Sequence, residues 1–337
     1  MRTTADRLDP EGCVRAVVSP FPARVLRPLQ RHLRVPSMKM LVGPYDVYHQ
    51  LHLDAEPAVP SQRLVLTVHD LIAERWPQAE GAPAPFMASL LRRAAAVIAV
   101  SEFTKSEVCA TFGVDASRVH VAHNGVDHHR FQPQADLQQG IAMRARASGG
   151  RPYLLCVGGQ TPRKNLARSI DAFCRAKAAT GYEGILVLAG PLAPLRPDVA
   201  QAVADAGDAI SVVGFVDDAD LPALMRAADG LLLASLYEGF GIPIAEAQAC
   251  GTRVITSQGT ACAEVGGAAA FLVDPYDVDS IADGIGRLLA EGPAERSARV
   301  AAGIRQAARF TWEDSGARHA AVYRAVAEGT TRRRATG

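Results

Sequence analysis

The chain predicts an α/β protein of two doubly wound domains, each a parallel sheet covered by helices on both faces. Three observations predict it. Short, nearly continuous apolar runs recur along the sequence, which suits parallel strands buried on both sides. Helix signals fill the stretches between them, and such strand–helix alternation is the pattern of doubly wound folds. The length of 337 residues exceeds what one core comfortably serves and points to two domains.

In order, the predicted strands are Leu64–Val68, Ala96–Val100, Arg118–Ala122, Tyr153–Val157, Ile185–Ala189, Ile210–Val213, Leu231–Ala234, Arg253–Thr256 and Ala270–Val273. Gly12–Ser19 reads as a further strand near the front. Thr104-x-x-Glu107 has the spacing of a capping box, and Gly113 follows as a helix stop. The polar stretch Ala135–Gly150 ends Ser148-Gly-Gly150 and reads as the inter-domain linker. That gives a first domain over 1–148 and a second over 149–310. Phe310-Thr-Trp-Glu313 opens a final helix, with Trp312, Ala317, His319 and Tyr323 available for packing. The closing Arg332-Arg-Arg334 reads as a solvated, frayed tail.

Composition bounds the function. Hydrophobic residues make up 48% and charged residues 21%, an ordinary globular balance. A formal net charge of +1 gives no general pull towards nucleic acid. No apolar run approaches the roughly 20 residues of a membrane span, and the N-terminus shows no secretory core. The six cysteines are scattered without a C-x-x-C pair, which fits a reduced, cytoplasmic protein without structural zinc. His128-His129 lacks the neighbours a metal site needs. Asp218-Ala-Asp220 and Asp277-Val-Asp279 are short matches to a metal–diphosphate motif, at a helix start and in a loop. The basic run Arg24–Lys39 suits either a surface helix on anionic lipid or a solvated basic face, with Pro28 against one unbroken helix.

The most informative stretch is Glu238-Gly-Phe-Gly-Ile-Pro-Ile-Ala-Glu246. Gly239 and Gly241 let a backbone approach a ligand, and Pro243 fits the first turn of a helix. Free N–H groups at such a turn, with the helix dipole, favour an anion. At about 1.5 Å of rise per residue, the two carboxylates could lie roughly 10 Å apart, about the reach from a sugar across a diphosphate to a ribose. Arg163 and Lys164 follow Gly158 and Gly159 at another strand–helix turn, where two cations would neutralise a diphosphate.

This stretch resembles the Glu-x7-Glu motif of glycosyltransferase family 4, retaining enzymes of GT-B fold with two Rossmann-like domains facing a cleft. Val157-Gly-Gly-Gln-Thr-Pro-Arg-Lys-Asn-Leu166 is similar to that family's diphosphate loop, with Thr161 where relatives often carry an acid. Gly214–Asp229, Thr67–Leu71, Val100–Thr104 and Asn124–Asp127 resemble other family segments, so the likeness spans roughly residues 40 to 330. The resemblance implies that Glu238 contacts donor-sugar hydroxyls, that Glu246 holds the ribose, and that Arg163, Lys164 and His69 serve the reaction. It places Gly158, Gly159, Gly239, Phe240, Gly241 and Ile242 around the donor. Ser101 either binds donor or acceptor or caps a helix. His49, His52 and Asn124 are candidates for the acceptor side. The final helix, 311–337, is implied to cross back onto the first domain.

The front end departs from the family, since Met1–Gly12 is polar and lacks the usual first strand and Gly-rich loop. A first sheet with fewer strands than the second is therefore expected. The functional expectation is a retaining, metal-independent hexosyltransferase without cofactor, using a UDP- or GDP-linked sugar and pointing to GDP-mannose. Its acceptor would be a saccharide or lipid-linked saccharide, with peripheral contact at the inner membrane surface and no nucleic acid. The alternatives are a nucleotide-sugar-binding or scaffold protein, and an epimerase of the same fold.

Overall fold

A computed structural model describes residues 33, 35–52, 57–75, 86–133 and 137–335. Its first sheet contains β1 Tyr48–Gln50, β2 Leu64–Val68, β3 Ala96–Ala99 and β4 Val119–Val121, in the order β1-β2-β3-β4. The second contains β5 Tyr153–Val157, β6 Ile185–Ala189, β7 Ile210–Gly214, β8 Gly230–Leu233, β9 Val254–Ser257 and β10 Phe271–Val273. Its order is β10-β9-β8-β5-β6-β7, and the pairs in both sheets are parallel. Among the described residues the first sheet thus has four strands and the second six. Met1–Gly12 and the strand expected at Gly12–Ser19 lie outside the described residues, as does most of the Arg24–Lys39 run.

Burial on both faces explains why the strands read as continuous apolar runs. In β5, Tyr153 and Leu155 enter one core cluster while Leu154 and Cys156 enter the cluster on the opposite face. In β2, Leu64, Leu66 and Val68 point one way and Val65 the other. β1 was not foreseen. Its Tyr48-His-Gln50 is short and polar, pairs with β2 alone among the described residues, and has Tyr48 and His49 only partly buried.

The strand order also fixes where a ligand can enter. From β5 the chain proceeds outward through β6 and β7, whereas β8, β9 and β10 extend the sheet on the other side. The loops after β5 and β8 therefore diverge at the carboxyl edge and leave a crevice, the usual binding position in such sheets.

Three local readings are corrected. The presumed linker contains a helix, Leu137–Ser148, whose Met143 and Ala147 are buried in a core of the second sheet. Ile141 on the same helix is exposed, so its apolar residues do not mark one face and the stretch resembles a loop in sequence. The helix Glu102–Phe112 begins before Thr104, because Ser101 is its N-cap and accepts a hydrogen bond from Thr104 N–H. Thr104 and Glu107 are interior to it, and Gly113 ends it in the left-handed region at φ 64°. Finally, the backbone of Arg332–Arg334 continues the helix Trp312–Ala335.

That last helix lies on the first sheet. Val322 and Val326 pack with Val65, Ala96, Ile98 and Ala122, and the Tyr323 hydroxyl bonds His49 Nδ1 at 2.7 Å. Trp312, expected to pack, is instead 54% exposed. The helix enters against Asn124-Gly125, where Val126 N–H donates to Phe310 C=O at 3.0 Å. A Cβ on Gly125 would stand 2.4 Å from Trp312 N and 2.6 Å from Trp312 Cγ. The glycine is thus needed for close passage of the returning chain. Gly125→Ala should cost about 1–3 kcal/mol through overpacking, read as a lower melting temperature with earlier proteolysis in the final helix.

Candidate active site

The loop after β5 brings two cations to the crevice. Gly158 leaves the strand at φ 136°, and the Lys164 side chain folds back over it, with Cε 3.4 Å from where a Cβ would stand. The short 3-10 turn Pro162–Lys164 ends at Asn165, a non-glycine residue in the left-handed region at φ 57°. Asn tolerates that conformation better than most side chains, and here its buried amide donates to Ala234 C=O at 3.0 Å and Pro275 C=O at 2.7 Å. It pins the loop to the ends of β8 and β10. Sequence reasoning missed this residue.

The loop after β8 supplies the counter-charge. Glu238, 7% exposed, accepts from Arg163 Nη1 at 2.9 Å, Lys164 Nζ at 2.6 Å and Ser235 Oγ at 2.8 Å. One carboxylate between two cations leaves a net positive charge at the mouth of the crevice, the sign a diphosphate needs. Arg163, Lys164 and Glu238 are therefore brought together as one cluster.

Gly241, at φ 95°, is the N-cap of the helix Ile242–Ala249, with Pro243 in its first turn. Ile242 is exposed at that helix start, whereas Phe240 is buried and meets Phe310 edge-on at 5.4 Å. Glu246 lies farther along the same helix. Burial raises its pKa from 4.5 to about 7, Arg130 pulls it down, and Asp218 adds to the rise. The two glutamates thus differ: one is neutralised by partners, the other is desolvated and short of charge compensation.

The first domain supplies the opposite wall. His69 follows β2 and its ring lies 5.7 Å from that of His52. Burial first, then the neighbouring His52, hold His69 below the usual imidazole range, opposed in part by Asp70. A Cβ on Gly239 would fall 1.8 Å from His69 C=O, so the two domains meet main chain to main chain there. Gly239 has no positive φ and is required for contact. Asn124 is partly buried, immediately ahead of Gly125. Gly159 faces Pro191 across the β5 loop, 3.9 Å from a built Cβ.

Two assignments change. Both ring nitrogens of His49 are engaged, Nε2 with Thr67 Oγ1 at 2.8 Å and Nδ1 with Tyr323, so it joins the final helix to the first sheet and offers no nitrogen to an acceptor. Burial and the cationic forms of His319 and His69 bring its pKa to about 4. Ser101 is fully buried and donates to Gly239 C=O at 2.7 Å while capping its helix, the capping alternative of the two considered.

A polar clasp that sequence reasoning did not find surrounds Glu238. Thr104 Oγ1 also donates to Gly239 C=O, at 3.0 Å. The Tyr237 hydroxyl donates to Glu107 at 2.6 Å and accepts from Leu71 N–H at 3.0 Å, while Glu107 also pairs with Arg75. Glu264 accepts from Glu102 N–H at 3.1 Å and Phe103 N–H at 3.2 Å, and meets His123 Nε2 at 2.7 Å. No local pattern marks these residues, because each contact joins distant parts of the chain. The aspartate strings have other partners: Asp220 pairs with Arg146, Asp279 with Arg175, and Asp277 caps the helix Val278–Ala290. His128 contacts Phe310 C=O at 3.1 Å.

Known proteins share this organisation. The pattern described as Glycosyltransferase Family 4 matches residues 2–130, and that described as Glycosyl transferases group 1 matches residues 141–306. The chain is 32% identical over 221 residues to O-antigen chain mannosyltransferase B of Escherichia coli, covering 65% of this chain and 57% of that protein. It is 31% identical over 233 residues to the MMP alpha-(1->4)-mannosyltransferase of Mycolicibacterium hassiacum, covering 67% and 53% respectively. The chain thus spans little more than half the length of these relatives. Among solved structures, sucrose-phosphate synthase of Thermosynechococcus elongatus superposes with a TM-score of 0.71 at 22% identity, over 94% of this chain and 81% of that one. Anabaena HepE, solved with UDP and glucose, gives 0.63 at 20%, over 80% and 71%. No helix among the described residues is long and apolar enough to cross a membrane. With two parallel-sheet domains meeting at a cleft and both halves matched in order, the chain belongs to glycosyltransferase family 4, the group 1 glycosyl transferases, and has the GT-B fold.

Proposed function

We propose that the protein is a retaining, metal-independent glycosyltransferase that moves a hexose from a nucleotide diphosphate sugar to a hydroxyl of a saccharide or lipid-linked saccharide. The observation that carries this reading is the Arg163–Glu238–Lys164 cluster at the crevice between β5 and β8. Its two cations would hold the donor diphosphate and stabilise the charge that grows on it as the sugar departs, the work a divalent metal does elsewhere. Glu238, displaced from part of its ion pairing by the phosphates, would turn its acceptor oxygens to sugar hydroxyls, with His69 opposite. Glu246 would take the ribose hydroxyls. The bond from the anomeric carbon to the diphosphate breaks as the bond to the acceptor oxygen forms. The acceptor proton passes to the departing diphosphate on the same face. The mannosyltransferase relatives favour GDP-mannose as donor, and the UDP-bound structural neighbour makes UDP-sugars the comparison.

Thermal-shift titration with UDP- and GDP-sugars, followed by a transfer assay, tests the reading directly. Binding without hydrolysis or transfer would instead support a nucleotide-sugar-binding protein. Lys164→Ala should lower transfer about 10²–10³-fold, the usual cost of a lost transition-state contact, with an unchanged circular dichroism spectrum. Activity should persist in EDTA, and inhibition reversed by manganese would refute metal independence.

Glu246 makes a separate prediction in pH. Its folded pKa of about 7 exceeds the ordinary 4.5, so between these values the folded protein binds more protons than the unfolded chain. Stability contributed by the neutral carboxyl is therefore lost as pH rises through that window. Glu246→Gln should be the more stable protein at pH 8, by on the order of 2 kcal/mol, and indistinguishable at pH 4.5. The wild type should gain nucleotide affinity from pH 6 to pH 8 as its carboxylate forms, whereas the variant should not. Equal melting temperatures of both proteins at pH 8 would overturn the assignment.

A further inference from the structure

We propose that Glu264 is a positioning residue for transfer, holding the two domains closed over the Arg163–Lys164–Glu238 cluster by seating its carboxylate on the start of the helix Glu102–Phe112. This rests on the glycosyltransferase reading for its kinetic consequence, but not for its structural one. Glu264 belongs to the second domain, on the helix Ala261–Gly266 that follows β9. Both its oxygens are committed across the domain boundary: Oε1 to Glu102 N–H and His123, Oε2 to Phe103 N–H. A carboxylate at a helix N-terminus satisfies otherwise unpartnered N–H groups and meets the positive end of the dipole. The group is only 25% exposed, and although burial raises its pKa, hydrogen bonds from His123, Glu102 and Phe103 outweigh this and hold it below the usual range.

The contact has a short route to the chemistry. The residues beside Glu102 and Phe103 are Ser101 and Thr104, and their hydroxyls hold Gly239 C=O. Gly239 is bonded to Glu238 and touches His69 main chain. Glu264 thus fixes the helix start that fixes the turn carrying Glu238, and with it the meeting of that turn with the His69 main chain. Glu264 itself touches neither Arg163, Lys164 nor Glu238 through any hydrogen bond, which is why it positions and does not react. The second domain carries the cations, Glu238 and Glu246 without it, so nucleotide binding should be largely indifferent to the latch while transfer should not.

The experiment compares full-length wild type, Glu264→Ala and Glu264→Gln by small-angle X-ray scattering, calorimetric titration with UDP and GDP, and steady-state transfer. The expected result for Glu264→Ala is a larger radius of gyration, unchanged nucleotide affinity, and kcat lower by about 10²-fold, typical of an ångström-scale misplacement. Glu264→Gln keeps an oxygen for one of the two helix N–H groups but turns its amide NH2, a donor, towards the other, and should recover only part of both properties. Should the alanine variant fail to fold, Glu264→Asp keeps the charge with less reach and should show the same split between kcat and nucleotide affinity. Scattering and kcat unchanged in Glu264→Ala would overturn the proposal. So would parallel losses of nucleotide affinity, kcat and melting temperature in Glu264→Asp, which signify general damage. If wild type transfers no sugar from any donor, the functional reading fails alone, and scattering still decides whether Glu264 holds the domains together.

Discussion

Two main chains touch at Gly239, and the placement of Glu238 in the crevice depends on that contact. Tyr237 is tied to Leu71 and Glu107, and the Gly239 carbonyl is tied to Ser101 and Thr104. Glu238 lies between these two anchors. Its backbone is therefore held by the first domain while its carboxylate is held by Arg163, Lys164 and Ser235 of the second. A side chain at position 239 would force the domains apart before any of this could form, since its Cβ would lie far inside the van der Waals surface of His69.

The two glutamates of the motif show how one residue type acquires two characters. Glu238 is deeply buried, yet two cations and a hydroxyl replace the water it has lost. Glu246 is less buried but lacks two adjoining cations of that kind, so desolvation prevails and its pKa is raised to about 7. A ligand rich in phosphate suits the first environment, because it competes for cations already assembled. A ligand offering hydroxyls suits the second, because donors compensate a carboxylate that the protein leaves under-solvated.

Much of the fold was legible because burial on both faces writes a plain signature into strands such as Tyr153–Val157, which begin and end where the sequence indicates. β1 escaped because a three-residue strand of Tyr48, His49 and Gln50 has no such signature. The helix Leu137–Ser148 escaped because Met143 and Ala147 are buried while Ile141 is exposed, so no clear apolar stripe stands out from the polar neighbours. In the site, the cations and Glu238 were legible from glycine turns and charge. The clasp was not: Tyr237 and Glu107, or Glu264 and Glu102, lie more than a hundred residues apart, and nothing local in either partner announces the other. Gly239 and Gly241 were read as room for a ligand. At Gly239 the room is occupied by the protein itself.

Two unlike seams join the domains, and their chemistry divides the labour. The final helix buries Val322 and Val326 against the first sheet, and Phe310 packs between His123 and Phe240 near its start. Opening that seam exposes apolar surface, with no compensating hydration. The clasp around Glu238 is mostly hydrogen bonds and one carboxylate–helix contact, whose groups water can satisfy when they part, so each is worth little net. A joint that resists opening thus stands beside one that opens at small cost. The boundary between them runs past Phe240 and Gly239, next to the carboxylate that grips the cations. Geometry at Glu238 is consequently the quantity most sensitive to how far the polar seam is closed, which places control of the site in residues that never touch it.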